Sequence, residues 1–160
     1  MKLDSYNKQI IKIIHANADI SNQKLAGKIG LSSSACFQRT KALKEGGYFV
    51  GFHSDLDLDR MVEHVLAYVE FKLESNSPPA RKVFLKEISR LPQFMDCFRV
   101  TGDFDFISLT CCTNTQSLTQ LCDQISGDPK LGVQRIKTRI IMERAKWYLG
   151  YPLDELKWIE

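Results

Sequence analysis

Two short amphipathic segments joined by a glycine turn constrain the fold of this 160-residue chain more than any other feature. Both lie in residues 21–48, which read SNQKLAGKIGLSSSACFQRTKALKEGGY. Ser21 can cap a first helix and Ser32 a second, while Gly30 and then Gly46-Gly47 end them. The first helix has one apolar face, formed by Leu25, Ala26 and Ile29. This pattern predicts a helix-turn-helix, whose second helix enters the major groove of DNA.

The predicted second helix has a core-facing side and an outward side. At 100° per residue, its core-facing side carries Cys36, Thr40 and Leu43. Its outward side offers a hydroxyl, a ring, an amide and an ammonium group, which suit base edges and phosphates. We expect Arg39, beside the core side, to send its guanidinium to a phosphate. The predicted DNA-binding residues are Ser32, Ser33, Ser34, Phe37, Gln38, Arg39 and Lys41. An ordinary solvated helix with a structural Arg39 remains the alternative.

Charge and composition favour a regulator that works in several copies. Residues 1–55 carry eight Lys/Arg and four Asp/Glu, whereas the remaining residues carry 14 and 15. The positive excess therefore lies with the helix-turn-helix, but it is small enough that tight DNA binding needs two or more copies. The chain has no apolar run of membrane-spanning length and no signal peptide, which predicts a cytoplasmic protein without a membrane partner. Five cysteines without CxxC spacing predict reduced, packing thiols and neither a metal nor a cofactor.

Elements after residue 63 alternate in an order typical of one fold. Predicted strands cover residues 64–74, 94–101, 104–112 and 133–142. Predicted helices cover residues 78–90, opened by Pro78-Pro79, and 114–125, capped by Asn114. The order β-α-β-β-α-β predicts a ferredoxin-like sandwich with both helices on one face of the sheet. Tyr68, Phe104 and Phe106 are candidates for the bare face, which a second copy would cover.

These elements predict an α+β chain in four parts. A first helix over residues 3–16 completes a three-helix, winged helix-turn-helix domain. The predicted boundaries are a DNA-binding domain at 1–50, a hinge strand and linker at 51–63, a ferredoxin-like domain at 64–146, and a tail at 147–160. The apolar residues from Tyr48 to Ser54 favour a strand leaving the first domain.

Three stretches resemble one family of regulators. They are Leu3-Asp4 at the start of the first helix, GLSSSACFQRTKALKEGG at residues 30–47, and VTGDFDF at residues 100–106. Together they are similar to the leucine-responsive/asparagine-responsive (Lrp/AsnC) family of bacterial and archaeal transcription regulators. The tail sequence KWYLGYPL, residues 146–153, resembles an extension found in some members. The resemblance implies double-stranded DNA as a partner, and homodimers that associate into higher oligomers such as an octamer.

The resemblance also implies a small-molecule effector, usually an amino acid, bound between effector domains. Carried over by position, it points to Arg99, Asp105, Thr115, Arg139, Ile140 and Ile141. The residues themselves agree, since Asp103 and Asp105 can accept bonds from an ammonium group and Gly102 allows a close backbone approach. The helix start at Asn114 offers free N–H groups to a carboxylate. The alternative is that both aspartates only complete a turn.

Two other functions remain open beside an effector-responsive regulator. One is a DNA-architectural protein that responds to no ligand. The other is an enzyme resembling the siroheme decarboxylases, whose fold and domain order are similar. That enzyme would need histidines and arginines around a tetrapyrrole, but the second domain contains only His64, while His15 and His53 lie before it. We find no nucleophile elbow or phosphate loop, and we therefore predict no enzyme and no catalytic residue.

Overall fold

A computed structural model describes residues 3–52, 54–146, 148 and 150–159. It divides into two compact units, residues 1–55 with 146–160, and residues 56–145. The first unit contains α1 (Ser5–Ala16), α2 (Asn22–Ile29) and α3 (Ser33–Glu45). The second contains β1 (Val65–Leu73), α4 (Pro78–Ile88), β2 (Phe98–Arg99), β3 (Phe106–Cys112), α5 (Thr115–Gly127) and β4 (Val133–Ile140), with single 3-10 turns at Leu58–Arg60 and Pro129–Leu131.

Side-chain caps start the three helices of the first unit. Asp4 accepts the backbone N–H of Asn7 at 2.8 Å, and Ser21 and Ser32 accept the N–H groups three residues ahead at 3.3 and 3.2 Å. Gly30 ends α2 with a φ of +70°, a conformation that glycine adopts without steric cost. The predicted caps and the turn of the helix-turn-helix are therefore confirmed. Its core is formed by Ile10, Ile14, Leu25, Ala26, Ile29, Cys36 and Leu43.

The predicted hinge strand is wrong for the residues that the structure describes. Residues 48–52 and 54 form no strand, and His53 lies outside the described residues. A strand requires a neighbouring backbone to pair its N–H and C=O groups, and among the described residues of this single chain no strand pairs with residues 48–52 or 54. Phe49 packs against the core instead and stacks on Phe52 with ring centroids 5.4 Å apart, whereas Val50 is fully exposed.

The second unit confirms the predicted β-α-β-β-α-β order. Its four-stranded sheet has the order β2-β3-β1-β4 with every neighbouring pair antiparallel. Strand β2 is much shorter than the predicted 94–101, because Asp96 interrupts the ladder. The Asp96 carboxylate accepts the backbone N–H of Leu109 at 2.7 Å, so a side chain takes the place of a strand partner. Phe94 still forms an isolated bridge with Thr110.

One face of the sheet forms the core under α4 and α5. Phe71 meets Phe84 and Phe94 edge-on with centroids 5.1 and 5.6 Å apart, and Phe84 lies 5.0 Å from Phe106. Phe106 is 1% exposed, so its prediction for the bare face is wrong. It pairs directly with Phe71, and directly paired residues point to the same side of a sheet.

The other face of the sheet points away from α4 and α5 and carries apolar residues. Tyr68 is 42% exposed and pairs with Leu109 on one side and Arg139 on the other. Phe104 is half-buried beneath the cations of Arg135 and Lys137, 4.7 and 5.9 Å from its ring centre. We call this the open sheet face, and it consists of Leu66, Tyr68, Glu70, Phe98, Ile107, Leu109, Cys111, Lys137 and Arg139.

Candidate nucleic-acid interface and ligand sites

The outward face of α3 is fixed by what the helix buries. Cys36 and Leu43 are fully buried, so the residues between them on the other side of the helix must face solvent. As predicted, Ser34, Phe37, Gln38 and Lys41 are all exposed, with Phe37 at 54%. An exposed aromatic ring such as that of Phe37 contributes little to the stability of the domain, but it can contact a thymine methyl group.

The start of α3 is held rigidly against α2. The side-chain amide of Asn22 donates to the backbone carbonyl of Ser33 at 2.8 Å, which ties the two helices together across the turn. Ser32 and Ser33 are exposed beside the first N–H groups of α3, which have no partner within a helix. A helix N-terminus of this kind attracts a phosphate through its N–H groups and its dipole.

The guanidinium of Arg39 links α3 to the start of α1. Its Nη1 donates to Asp4 at 2.7 Å and to Asn7 at 3.0 Å, and its guanidinium lies 5.3 Å from the ring centre of Tyr6. The cap bond from Asn7 and the bond from Arg39 lower the pKa of Asp4. We therefore correct the expectation that Arg39 sends its guanidinium to a phosphate, because a neighbouring carboxylate already binds it.

In the turn predicted to bind an effector, groups of the same chain already contact one of the two aspartates. Gly102 has the positive φ, +107°, that such a turn requires, and Asp103 is exposed. Asp105, however, is 5% exposed, and its carboxylate accepts bonds from the N–H of Leu73 at 2.9 Å and the amide of Asn76 at 2.6 Å. Lys72 lies 3.5 Å away and neutralises its charge. The expectation that Asp105 binds an ammonium group of the ligand is therefore corrected, because its lone pairs are committed to the fold.

A second group of predicted effector residues lies at the start of α5. Asn114 caps this helix by accepting the N–H of Ser117 at 2.8 Å. Thr115 and Ile140 line a groove of about 410 Å³ between α5 and β4, together with Leu118, Thr119, Cys122, Asp123, Ser126, Gln134, Arg135, Ile136 and Thr138. No local sequence pattern indicates this groove, because it arises where α5 crosses an edge strand.

The structure separates the predicted effector residues from one another. The turn at 102–105 precedes β3 and the α5 start follows it, so the seven residues of β3 keep the two about 20 Å apart. Arg139 lies on the open sheet face, where it donates to Glu70 at 2.9 Å, whereas Ile140 lines the groove on the other side. Arg99 is exposed on β2, and the N–H of Ile141 donates to Leu66. One subunit therefore does not assemble these residues into a single site.

Sequence reasoning also missed a second cavity, of about 390 Å³. It lies between the start of β1 and the end of β3, and His64, Gln93, Cys111 and Ser117 are among its lining residues. The side-chain oxygen of Gln93 is buried without a hydrogen-bond partner. The loop between α4 and β2 contacts β3 here, where the N–H of Cys111 donates to the carbonyl of Gln93. No local sequence pattern predicts that this loop lies against β3.

Two cysteines of the second unit carry thiols that burial makes difficult to ionise. Burial raises the pKa of the Cys97 and Cys122 thiols to about 11, which keeps both protonated and unreactive. Across residues 3–52, 54–146, 148 and 150–159, no group of three or more His, Cys, Asp or Glu is placed to hold a metal ion. Within the same ranges no helix is both long and apolar enough to cross a membrane.

Comparison with known proteins identifies both units. A family model described as the Lrp/AsnC ligand binding domain matches residues 66–148, and one described as winged helix-turn-helix DNA-binding matches residues 3–50. The chain is 30% identical over 155 residues to the transcriptional regulator AzlB of Bacillus subtilis, covering 96% of this chain and 98% of that protein. It is 26% identical over 147 residues to the leucine-responsive regulatory protein of Escherichia coli K12, covering 90% and 87%.

Solved structures share the whole architecture. The complex of transcriptional regulator NMB0573 with L-Met from Neisseria meningitidis superimposes with a TM-score of 0.84 at 21% identity, covering 96% of this chain and 98% of that one. An AsnC family regulator from Agrobacterium tumefaciens gives a TM-score of 0.82 at 22% identity, covering 96% and 99%. At these identities the similarity establishes the fold alone.

The bonds of Asp105 lead to a prediction about stability. Asp105→Ala removes two bonds to a buried carboxylate and leaves the N–H of Leu73 unpaired, which should cost about 2–3 kcal/mol of unfolding free energy. Urea unfolding followed by circular dichroism measures this loss. The matched control is Asp103→Ala in the same turn, which is exposed and should stay within about 0.5 kcal/mol of wild type. Equal stability of the two variants would show that Asp105 is free for a ligand.

Proposed function

The chain belongs to the Lrp/AsnC family of transcriptional regulators, and from this we propose how its parts serve a DNA-binding regulator with a ligand-binding domain. The proposal has three components, which are base reading by α3, binding of an amino acid in the α5–β4 groove, and pairing of copies through the open sheet face. The single observation that supports the first is the exposed outward face of α3 opposite its fully buried Cys36 and Leu43.

Gln38 and Ser34 read base edges, and Phe37 contacts a thymine methyl group. A side-chain amide can form two hydrogen bonds to adenine, one to N6 and one to N7. A hydroxyl can donate to an acceptor on a base edge or accept from a donor there. Lys41 binds a phosphate, and Ser32 and Ser33 present the α3 N-terminus to another. Lys41 lies 3.8 Å from Glu45, an exposed pair that contributes little in water and that a phosphate can displace.

An amino acid binds in the α5–β4 groove as the effector. The groove combines the apolar residues Leu118, Ile136 and Ile140 with the acidic residue Asp123 and the hydroxyl-bearing residues Thr115, Thr119, Ser126 and Thr138. The apolar residues match an apolar side chain, Asp123 matches an ammonium group, and the hydroxyl groups can donate to a carboxylate. One relative is named leucine-responsive and one structure of the same fold is an L-Met complex, which supports this ligand class.

Two copies of the chain pair through the open sheet face. Tyr68, Ile107 and Leu109 form an apolar centre, while Lys137 and the Glu70–Arg139 pair lie along its β4 side. An apolar centre with a charged rim is the usual composition of a protein interface. Pairing supplies two recognition helices, which the modest positive charge of one copy requires for tight DNA binding.

A regulator without an effector is the second candidate function. The internal bonds of Asp105 favour it, because they remove one of the groups expected to bind a ligand. Such a protein organises DNA and responds to no amino acid. A melting scan of the purified protein with each of the twenty amino acids separates the two candidates, since a ligand at 100 times its Kd adds about 2.7 kcal/mol of stability.

Two substitutions on α3 test base reading against phosphate binding. Lys41→Ala should weaken binding equally on all duplexes and reduce the slope of log affinity against log salt by about one unit. Gln38→Ala should cost roughly 1–3 kcal/mol, mainly at one position of the site. Site selection followed by fluorescence titration at several salt concentrations measures both. Lys82→Ala, which removes an exposed lysine from α4, is the control. An unchanged sequence preference in Gln38→Ala would disprove the base-reading assignment.

Neighbouring residues on α5 test the groove. Thr119 lines it and Gln120 does not, although both are exposed. Thr119→Trp should fill the groove and weaken binding of the stabilising amino acid at least about tenfold in calorimetric titration, because even partial overlap with the ligand costs more than 1.4 kcal/mol. Gln120→Trp should bind as wild type does. Equal affinity in both variants would exclude the groove as the effector site.

A charge on the open sheet face tests the pairing of copies. Leu109→Glu places a carboxylate at the apolar centre, where pairing would have to desolvate it, so the variant should be monomeric at micromolar concentration. Val83→Glu introduces the same charge on an exposed position of α4 and should assemble as wild type does. Multi-angle light scattering gives the mass of each protein. A monomeric wild type would refute the pairing.

A further inference from the structure

The outward face of α1 contacts the C-terminal tail, which we define as residues 146–160 and of which the structure describes 146, 148 and 150–159. Although it follows the second unit in the chain, the tail packs with the first. Lys8, Lys12 and His15 lie four and three residues apart, so they share one side of α1. The buried residues of α1, Asn7, Ile10 and Ile14, lie on its other side. This arrangement gives α1 two functions, one in the core of the helix-turn-helix and one toward the tail.

His15 makes the most specific contact with the tail. Its Nε2 accepts the backbone N–H of Tyr151 at 2.6 Å. Its ring stacks on the Tyr151 ring with centroids 5.4 Å apart and an interplanar angle of 7°. The hydrogen bond from the Tyr151 backbone and the stacking of the Tyr151 ring together fix the position and the direction of the tail at this residue.

Gly150 is shaped to this contact. Its φ is +89°, and a Cβ at this position would lie 2.5 Å from Nε2 of His15. The positive φ favours glycine because other residues rarely adopt it, and the short distance excludes a Cβ because it would overlap the His15 ring. By contrast, Gly132 has a φ of +56° with nothing within 4 Å of a built Cβ, so it shares only the first requirement.

Two charged contacts extend the docked segment. Asp154 forms an ion pair with Lys12, and the ammonium of Lys8 lies 5.6 Å from the ring centre of Trp158. Exposed contacts of this kind are individually weak. Together with the contacts of His15, they hold the chain from Gly150 to Trp158 along two turns of α1.

We propose that the tail is a strap, a second connection by which the effector domain restrains the DNA-binding domain. The chain crosses from one unit to the other at residues 55–56 and again at 145–146. With the tail docked on α1, both crossings limit how far the DNA-binding domain can move. With the tail released, one of these two connections is lost. This inference rests on the proposed regulatory function, because restraint of the DNA-binding domains would set how many of them reach one operator together.

Hydrogen–deuterium exchange on the full-length protein tests docking. Gly150→Ala should accelerate exchange of the tail peptides by about tenfold or more and leave the effector-domain core unchanged. His15→Ala should do the same by removing the acceptor and the ring. Gly132→Ala is the matched control, since it adds strain at a positive φ without touching the tail, and its tail should exchange as wild type does. Tail exchange in Gly150→Ala equal to wild type would overturn the proposal.

Distance measurements test restraint. Spin labels carried by unnatural amino acids at Gln23 and Lys82, both exposed, report the distance between the two domains within one chain. Labelled chains are diluted with unlabelled chains so that each assembly carries one pair. Double electron–electron resonance should give a distribution at least twofold wider in Gly150→Ala than in wild type or Gly132→Ala. Equal distribution widths in Gly150→Ala and wild type would overturn the strap, even if the exchange experiment shows that the wild-type tail is docked.

The same variants separate this inference from the proposed function. If wild type binds no DNA and no amino acid, the proposed function fails, while exchange and distance widths still decide whether the strap exists. If wild type responds to an amino acid, Gly150→Ala should retain its ligand affinity and lose most of the ligand-induced change in operator affinity. An unchanged response in a variant with a released tail would contradict the regulatory part of the inference.

Discussion

The alternation of side chains along β1 is the constraint on which the second unit depends. β1 is central and pairs with both β3 and β4, so its odd-numbered residues lie under the helices and its even-numbered residues face away. Val69 and Phe71 are fully buried as a result, and Tyr68 is exposed. A shift of one residue would bury Glu70 and expose Phe71, so register and core are fixed together. The open sheet face is thus a necessary consequence of covering only one side of the sheet.

In the first unit, the contact between Arg39 and Asp4 plays a comparable part. Asp4 caps α1, and Arg39 belongs to α3, so their bond sets the recognition helix against the first helix. The N–H of Asn7 and the guanidinium of Arg39 lower the pKa of Asp4, so the contact weakens when acid protonates this carboxylate. Because Arg39 positions α3, the proposed DNA contacts belong to the residues that α3 exposes.

Local patterns predicted the parts of the fold that local physics decides. Ser21, Ser32 and Asn114 cap helices as expected, because a short polar side chain before an apolar period satisfies free N–H groups. Alternation gives two faces without saying which one the helices cover, so the prediction for Phe106 is wrong. The sequence around a charged residue does not show a partner thirty positions away, so it predicts a phosphate for Arg39 and an effector for Asp105. The hinge strand is mispredicted for a similar reason, because strand pairing is not a local property.

The separation of the 102–105 turn from the α5 start limits how an effector can act. A single amino acid is far shorter than the about 20 Å that β3 places between them. A ligand that contacts both regions must therefore lie between copies, with the turn from one and the helix start from another. Such a ligand would bind only the assembly that brings these two surfaces together, and it would favour that assembly by the difference in its affinities. A ligand confined to the α5–β4 groove would instead act within one subunit, and its effect on DNA would have to pass through the linker or the strap.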